Sequence, residues 1–430
     1  MKRFQELLSG NTAAGNMLKL GGGTALGQLF SVLVLPLISR QYDPIQRGHF
    51  GLFSAFIAIA TVVVGLRFEM ATPTAKSDRE ADQLLTLSLV SGVFLSIASG
   101  GIFYLLHFYG IGGYGSLASW TSLLLIVTLI LTNAFSSLRF WYVRRADFGG
   151  ISKAMVQQGF IRAVVPVLLG LLKFDWVGLA IGEVVGRMSG AVSLSKSAWS
   201  GIKSALGDRK SLVDTALRHR AMPLQMMPSS LIDSLGFSIS VPLIYSCFGS
   251  VNAGLYSMSF MVIAIPSGLI AASVGDVFHN HLAELLKSDR TQITGYLASM
   301  GTKMLKIAVL IYLPVAGLSY FLAAPVLGSR WEPLSWMLPA LVPMVIVSAL
   351  CGPLSRILVV VNRVDLKLYT DVFALVVTAG SILGCAWLKM TFQTMFGIHC
   401  VAIFVCRLVY IWVIWLSSLP RNQREIASHR

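Results

Sequence analysis

Charge is what this sequence has least of. Only 12% of its 430 residues are Asp, Glu, Lys or Arg, about half the share found in an average soluble domain. Mean hydropathy is +0.73 and 55% of the residues are apolar, so the chain cannot be an ordinary soluble enzyme or regulator. Carboxylates are scarcer still, at 19 against 34 lysines and arginines. Cysteine is nearly absent: Cys247, Cys351, Cys385, Cys400 and Cys406 show no metal-ligand spacing and read as small apolar packing residues. His279 and His281 lack a third ligand, so they read as interfacial polar residues and no metal is expected. There is no Gly-rich phosphate loop, no nucleophile paired with a histidine and no carboxylate dyad. An enzyme is therefore not expected, and neither is a cofactor. The chain also lacks a folded basic surface interleaved with aromatics, which argues against a nucleic-acid partner.

Long apolar runs are what the sequence does have. A stretch of about twenty apolar residues makes a helix long enough to cross the hydrocarbon layer. The predicted fold is all-α, a polytopic membrane protein with about twelve spans, placed near 18–39, 49–66, 84–106, 117–138, 154–172, 176–195, 223–245, 254–277, 305–324, 336–358, 368–388 and 395–416. The first run is as long as a full span and lacks a small-x-small cleavage pattern, so it reads as a retained helix. Most of the basic residues fall on one side if both termini are cytoplasmic, which sets the expected orientation. No linker separates a soluble module. The external segments are short, which argues against a membrane polymerase that works through a large external loop.

One phrase occurs twice. "PLISRQYDPIQRGHFGLFS" from Pro36 returns about two hundred residues later as "PLIYSCFGSVNAGLYSMSF" from Pro242, the mark of an internal repeat. "RRADF" from Arg144 is echoed by "NRVDL" from Asn362 at a similar offset. The two halves are read as parallel six-helix lobes, 1–205 and 206–430, around a central cavity that opens alternately to either side. Small residues in "GGGTALG", Gly21 to Gly27, would let a neighbouring helix approach closely.

The remaining signal is charge inside the spans, where a lone ion costs several kcal/mol and normally faces a cavity or a partner. Arg67 and Glu69 end the second span, Arg139 ends the fourth and Arg356 lies late in the tenth. Each of these three arginines either snorkels to the interface or lines the cavity. Arg162 and Arg407 lie too deep for that and are the strongest candidates for cavity cations. Glu183 and Arg187 stand at i, i+4, which suits an intrahelical ion pair or a ligand contact. Asp233, in the seventh span, is read as a partner for one of the arginines or as a coupling-ion site, with Glu69 as the other coupling candidate. Guanidinium forks onto phosphate oxygens and stays charged, so the expected substrate is a polyanion. A cation exporter would place carboxylates and aromatics there instead.

The first seventy residues carry a family resemblance. The small-residue start of the first span, "Y-x-P" at Tyr42 to Pro44, "G-x-F-G-L-F" at Gly48 to Phe53 and "L-R-F-E" at Leu66 to Glu69 resemble the bacterial polysaccharide transporters, the Wzx-type O-antigen flippases. That family belongs to the multidrug/oligosaccharidyl-lipid/polysaccharide exporter superfamily. The resemblance implies a protein of the bacterial inner membrane that moves an undecaprenyl-pyrophosphate-linked oligosaccharide to the periplasmic leaflet. It would work beside a polymerase and a chain-length regulator in lipopolysaccharide biosynthesis, and only Arg67 and Glu69 carry over from a motif. Coupling to a proton or sodium gradient, or to the membrane potential, is the accompanying expectation. A multidrug antiporter of the same superfamily is the alternative.

Overall fold

The computed structural model describes residues 13–264, 292–355, 357–358 and 363–418. Every described span is a helix, as the hydrocarbon layer requires of a backbone that must satisfy its own hydrogen bonds. In chain order these are α1 Ala13–Gln41, α2 Pro44–Val64, the single turn α3 Phe68–Ala71, α4 Asp78–Phe108, α5 Thr121–Arg144, α6 Phe148–Leu171 and α7 Val177–Gly207. A short helix α8, Arg209–Arg218, leads to α9, Met222–Phe248, whose first turn is a π-turn, and then to the apolar helix α10, Ser250–Ala264. After residue 291 come α11 Gln292–Leu327, α12 Leu334–Leu354, α13 Val364–Trp387 and α14 Phe392–Ser418.

Eleven of these helices are long and apolar enough to cross a membrane among the described residues. The expected eighth span, 254–277, is described only as far as Ala264 within α10. The rest of it, with His279, His281 and Arg356, lies outside the described residues. Large apolar side chains such as Leu33, Phe94, Leu123, Leu310 and Phe321 are exposed along the helices, a surface suited to lipid and not to water.

The described residues cluster into two compact units, Met1–Gly254 and Leu255–Arg430. This packing boundary falls one span later than the 205/206 boundary that the internal repeat proposes. In the first unit α9 lies along α2, with Ser234 Oγ donating to the Ala58 carbonyl at 2.8 Å. In the second unit α11 packs on α12, while α14 contacts both α12 and α13. A buried histidine, His399, is held there between Tyr256 Oη at 3.2 Å and Ser381 Oγ at 2.9 Å.

Helix starts follow the local chemistry. Asp43 and Gln46 form a reciprocal capping box at α2, Gln46 N–H donating to Asp43 Oδ1 at 2.9 Å and Asp43 N–H to Gln46 Oε1 at 3.1 Å, with Pro44 at the first helical position. Asp147, from the "RRADF" phrase, caps α6 by accepting from Gly150 N–H at 2.8 Å. The glycine run of α1 meets α6: a Cβ on Gly159 would collide with the Gly27 backbone, so the two helices touch main chain to main chain. Replacing Gly159 by leucine is expected to separate α1 from α6 and to lower the melting temperature in detergent. A value unchanged from the parent would contradict this contact.

The described residues of the first unit form three apolar clusters. One gathers Leu52, Phe53, Phe103, Tyr114, Leu125 and Trp176; a second gathers Phe68, Leu84, Leu138, Trp141, Ile151 and Leu194; a small third joins Ile38, Tyr42 and Leu179.

Candidate functional site

Four helices present one stripe each, of mixed polar, small and apolar residues, spaced at i, i+3, i+4 and i+7, the period that puts side chains on a single helix face. On α5 the stripe is Thr132, Phe135, Ser136 and Arg139; on α6 it is Met155, Gln158, Gly159 and Arg162; on α1 it is Thr24, Gly27, Gln28 and Ser31. On α7 it is Glu183, Gly186, Arg187 and Gly190. They enclose two adjoining cavities. The larger, about 470 Å³, is completed by Phe50, Ser54, Ile57, Ala58 and Thr61 of α2. The smaller, about 230 Å³, is walled by α1 and α6. Phe135, Arg139, Arg162 and Arg187 belong to both.

Charge in this site is organised around one carboxylate. Arg162 Nη2 lies 2.5 Å from Glu183 Oε2, and Arg187 Nε donates to Glu183 Oε1 at 2.8 Å. The expected i, i+4 pair is therefore present, and it is extended by an arginine from the neighbouring helix. Arg139 adds a third guanidinium, so three cations face one anion and the formal balance is +2. Glu183 is the most enclosed, its side chain 12% exposed, against 24% for Arg187 and 41% for Arg162. The arginines thus keep donor groups open to the cavity while the carboxylate is used up. The α5 helix continues to Arg144 instead of ending near 138, so Arg139 lies more than a turn before its end.

Gly186 makes room for this arrangement. A Cβ there would run into Cγ of Arg162, which is the stem of the side chain and cannot swing aside. Gly186→Ala is expected to displace Arg162 from Glu183 and cost about 1–3 kcal/mol, as overpacking usually does. A thermal melt of the purified variant checks the size. Unaltered stability would contradict the close fit of Arg162 over α7.

The other sequence candidates lie elsewhere. Arg67 and Glu69 form their own pair at 3.7 Å. On a continuous helix residues two apart do not face each other. They meet because α2 stops at Gly65 and both Leu66 and Arg67 are left-handed, with φ of 51° and 61°. Glu69 is buried and accepts from Ser88 Oγ at 3.2 Å, while Ser88 also bonds Ser137 Oγ at 2.8 Å and accepts at its carbonyl from Asn133 Nδ2 at 2.8 Å. Asp233 on α9 is half-buried and forms no ion pair among the described residues. Arg407 belongs to α14 of the second unit, where its carbonyl lies 3.7 Å from Cys351 Sγ. Arg356 is outside the described residues.

Burial raises the Glu69 carboxyl above its ordinary value of 4.5, against the opposing pull of its own backbone N–H, Arg67 and Ser88. A carboxyl raised in the folded state holds its proton longer than the unfolded chain does, so stability falls as pH rises from 4.5 through the raised value. The expected result is a melting temperature that declines across that window in the parent relative to Glu69→Gln. Parallel pH profiles would show that Glu69 is not desolvated.

Sequence reasoning named Arg139, Arg162 and Glu183 and missed Thr132, Gln28 and Gln158. Among the described residues, buried Thr132 Oγ1 and the buried Oε1 atom of Gln28 have no hydrogen-bond partner. Spacing alone puts Thr132 on the face of Arg139 and Gln158 on the face of Arg162, but does not tell a cavity-facing side chain from a packed one.

The family model described as "Polysaccharide biosynthesis protein" matches residues 37–336, a stretch that contains every residue of this site except those on α1. The chain belongs to that family. No curated protein matches it. Among solved structures, an inward-facing multidrug resistance MATE family transporter of the MOP superfamily aligns with a TM-score of 0.67 at 15% identity, covering 90% of this chain and 93% of that one. A MOP superfamily transporter from Pyrococcus furiosus, described as having a binding pocket of reverse polarity, aligns at 0.58 and 15% identity, with 97% of each chain covered. The lipid II flippase MurJ, in an inward closed conformation, aligns at 0.64 and 13% identity, covering 91% of this chain and 86% of that one. At these identities the likeness shows a shared fold, in which this member of the polysaccharide biosynthesis family carries its arginine site.

Proposed function

We propose that this protein is a flippase that carries an undecaprenyl-pyrophosphate-linked oligosaccharide from the cytoplasmic to the periplasmic leaflet of the bacterial inner membrane by alternating access. The observation that carries this reading is the gathering of Arg139, Arg162 and Arg187 with a single carboxylate, Glu183, around a cavity of about 470 Å³. Fixed guanidiniums in a low-dielectric wall bind a diphosphate through bidentate, charge-assisted bonds. An organic cation would meet net positive charge there, which disfavours the multidrug-antiporter alternative. Family membership supports the glycan, and the fold supports movement across a bilayer.

The physics of the task matches the site. A sugar diphosphate cannot enter hydrocarbon unpaired, whereas its polyprenyl tail never has to leave it. A wet cationic cavity shields the head, and small polar groups such as Ser54, Thr61 and Ser136 on its wall offer hydrogen bonds to a hydrated glycan. Moving an anion outward across a membrane negative inside releases about 2.3 kcal/mol per charge per 100 mV, so the potential is a sufficient bias. Proton or sodium coupling through Glu69 or Asp233 is not required by this scheme.

Deleting the gene is the test. Surface polysaccharide should disappear and the lipid-linked unit should accumulate on the cytoplasmic leaflet, as read by its inaccessibility to externally added enzyme. Normal surface glycan in the deletion strain would refute the flippase reading, and dye-efflux assays with small organic cations would then test the alternative.

A further inference from the structure

We propose that the end of α7 and the outer face of α8 form a binding surface for anionic phospholipid headgroups, on the side of the membrane that the basic residues mark as cytoplasmic. This surface lies outside the arginine site and stands apart from the flippase reading.

Two observations place the membrane boundary at the same level of α7. The turn before this helix carries Lys173 and Asp175, and about twenty helical residues cross the hydrocarbon layer, which brings the far boundary to about residue 197. One exposed stripe agrees: Met188 and Val192 are apolar, and the next side chains on that face are Lys196, Trp199 and Lys203. Tryptophan and lysine mark a membrane interface, the indole resting among the headgroups and the ammonium reaching past them. The helix runs on to Gly207, so its last turns lie at or beyond headgroup level.

The start of α4 holds α8 at that level. A Cβ on Gly201 of α7 would strike Asp82, and beside this contact Arg79, Glu80 and Gln83 bind one face of α8. Arg79 pairs with Asp208, Gln83 bonds Ser211 and Thr215, and His219 Nε2 lies 3.0 Å from Glu80 Oε1. The opposite face carries Lys210, Val213 and Leu217, the two apolar side chains 59% and 62% exposed. At 10 residues α8 is too short to span. Apolar and basic side chains sharing the outer face of such a helix are the pattern of one lying in the interface plane.

The charge selects the lipid. Lys196, Lys203, Arg209, Lys210 and Arg220 are exposed and form no ion pair among the described residues, and Asp214 is the one carboxylate from 196 to 220 outside an ion pair. Five cations against one anion suit a phosphodiester surface. The stripe is continuous with the exposed apolar Met188 and Val192, which favours lipid over a soluble acidic protein as its occupant.

The full-length protein should be reconstituted in phosphatidylcholine nanodiscs containing either brominated phosphatidylglycerol or brominated phosphatidylcholine. Quenching at Trp199 is read as the difference between the parent and Trp199→Phe. Trp199 lines neither cavity, so this signal does not report lipid drawn to the arginines. One basic side chain near an anionic surface is worth about fivefold in partition. The parent is therefore expected to favour phosphatidylglycerol by at least about fivefold, a preference that high salt reduces. Lys196→Gln/Lys203→Gln/Lys210→Gln should abolish it. Equal quenching by both lipids in the parent would overturn the proposal and give the patch to a protein partner. A triple variant that keeps the parental preference would overturn it as well. Should that variant fail to fold, the parent's salt response decides, and a preference unchanged by salt overturns the headgroup contact.

Discussion

Arg162→Ala is expected to abolish surface polysaccharide in a complemented deletion strain while the protein remains inserted at parental levels. Arg162 reaches across from α6 to Glu183 of α7 at 2.5 Å and faces both cavities, so its loss removes a donor fork from the anion site. Truncating one member of a buried charge pair costs about 2–5 kcal/mol of binding, and because Arg162 is 41% exposed the lower end applies, roughly a thirtyfold loss of affinity. Arg162→Lys separates charge from geometry. It keeps the cation but loses the planar fork, so transport should recover in part. Full activity of the alanine variant, with insertion verified by membrane fractionation, would remove Arg162 from the site.

Glu183→Gln is expected to have the largest effect on stability. The carboxylate is shared by Arg162 and Arg187, and the amide leaves three guanidiniums close together with no counter-charge. Breaking a buried ion pair from one side costs about 3–5 kcal/mol, with the lower figure apt here because Arg162 is partly open to the cavity. Added diphosphate should restore the variant disproportionately, since an anion can take the vacant place. Ligand at a hundred times its dissociation constant contributes about 2.7 kcal/mol, enough to recover most of the lost melting temperature. A variant as stable as the parent, or one that inorganic pyrophosphate does not rescue, would contradict the charge balance described here.

The residues differ in how far their roles could be read from the sequence. Helix positions were legible because an apolar run of span length has no soluble alternative, and the start of α2 was announced by Asp43, Pro44 and Gln46 acting locally. Arg162 was legible because it lies too deep in α6 to snorkel. Arg139 was ambiguous only because α5 extends to Arg144, and element ends are the least certain part of any such reading. The Glu183–Arg187 pair was visible at i, i+4, but the third member came from another helix, and no local spacing encodes a contact between helices. Arg67 and Glu69 gave the converse case: their pairing depends on two left-handed residues after Gly65, a break that the smooth apolar pattern conceals. Gln28, Thr132 and Gln158 stayed hidden because a neutral polar residue in a span looks the same whether it packs against a helix or faces a cavity.

The shared carboxylate also bears on how the cargo leaves. A cavity with three bare guanidiniums would hold a diphosphate so firmly that turnover would be limited by dissociation. Under the proposed flippase function, Glu183 would compete for the same donors from within the wall, so that an arriving diphosphate takes guanidinium hydrogen bonds from the carboxylate and its departure gives them back. The carboxylate would thus weaken capture and hasten release.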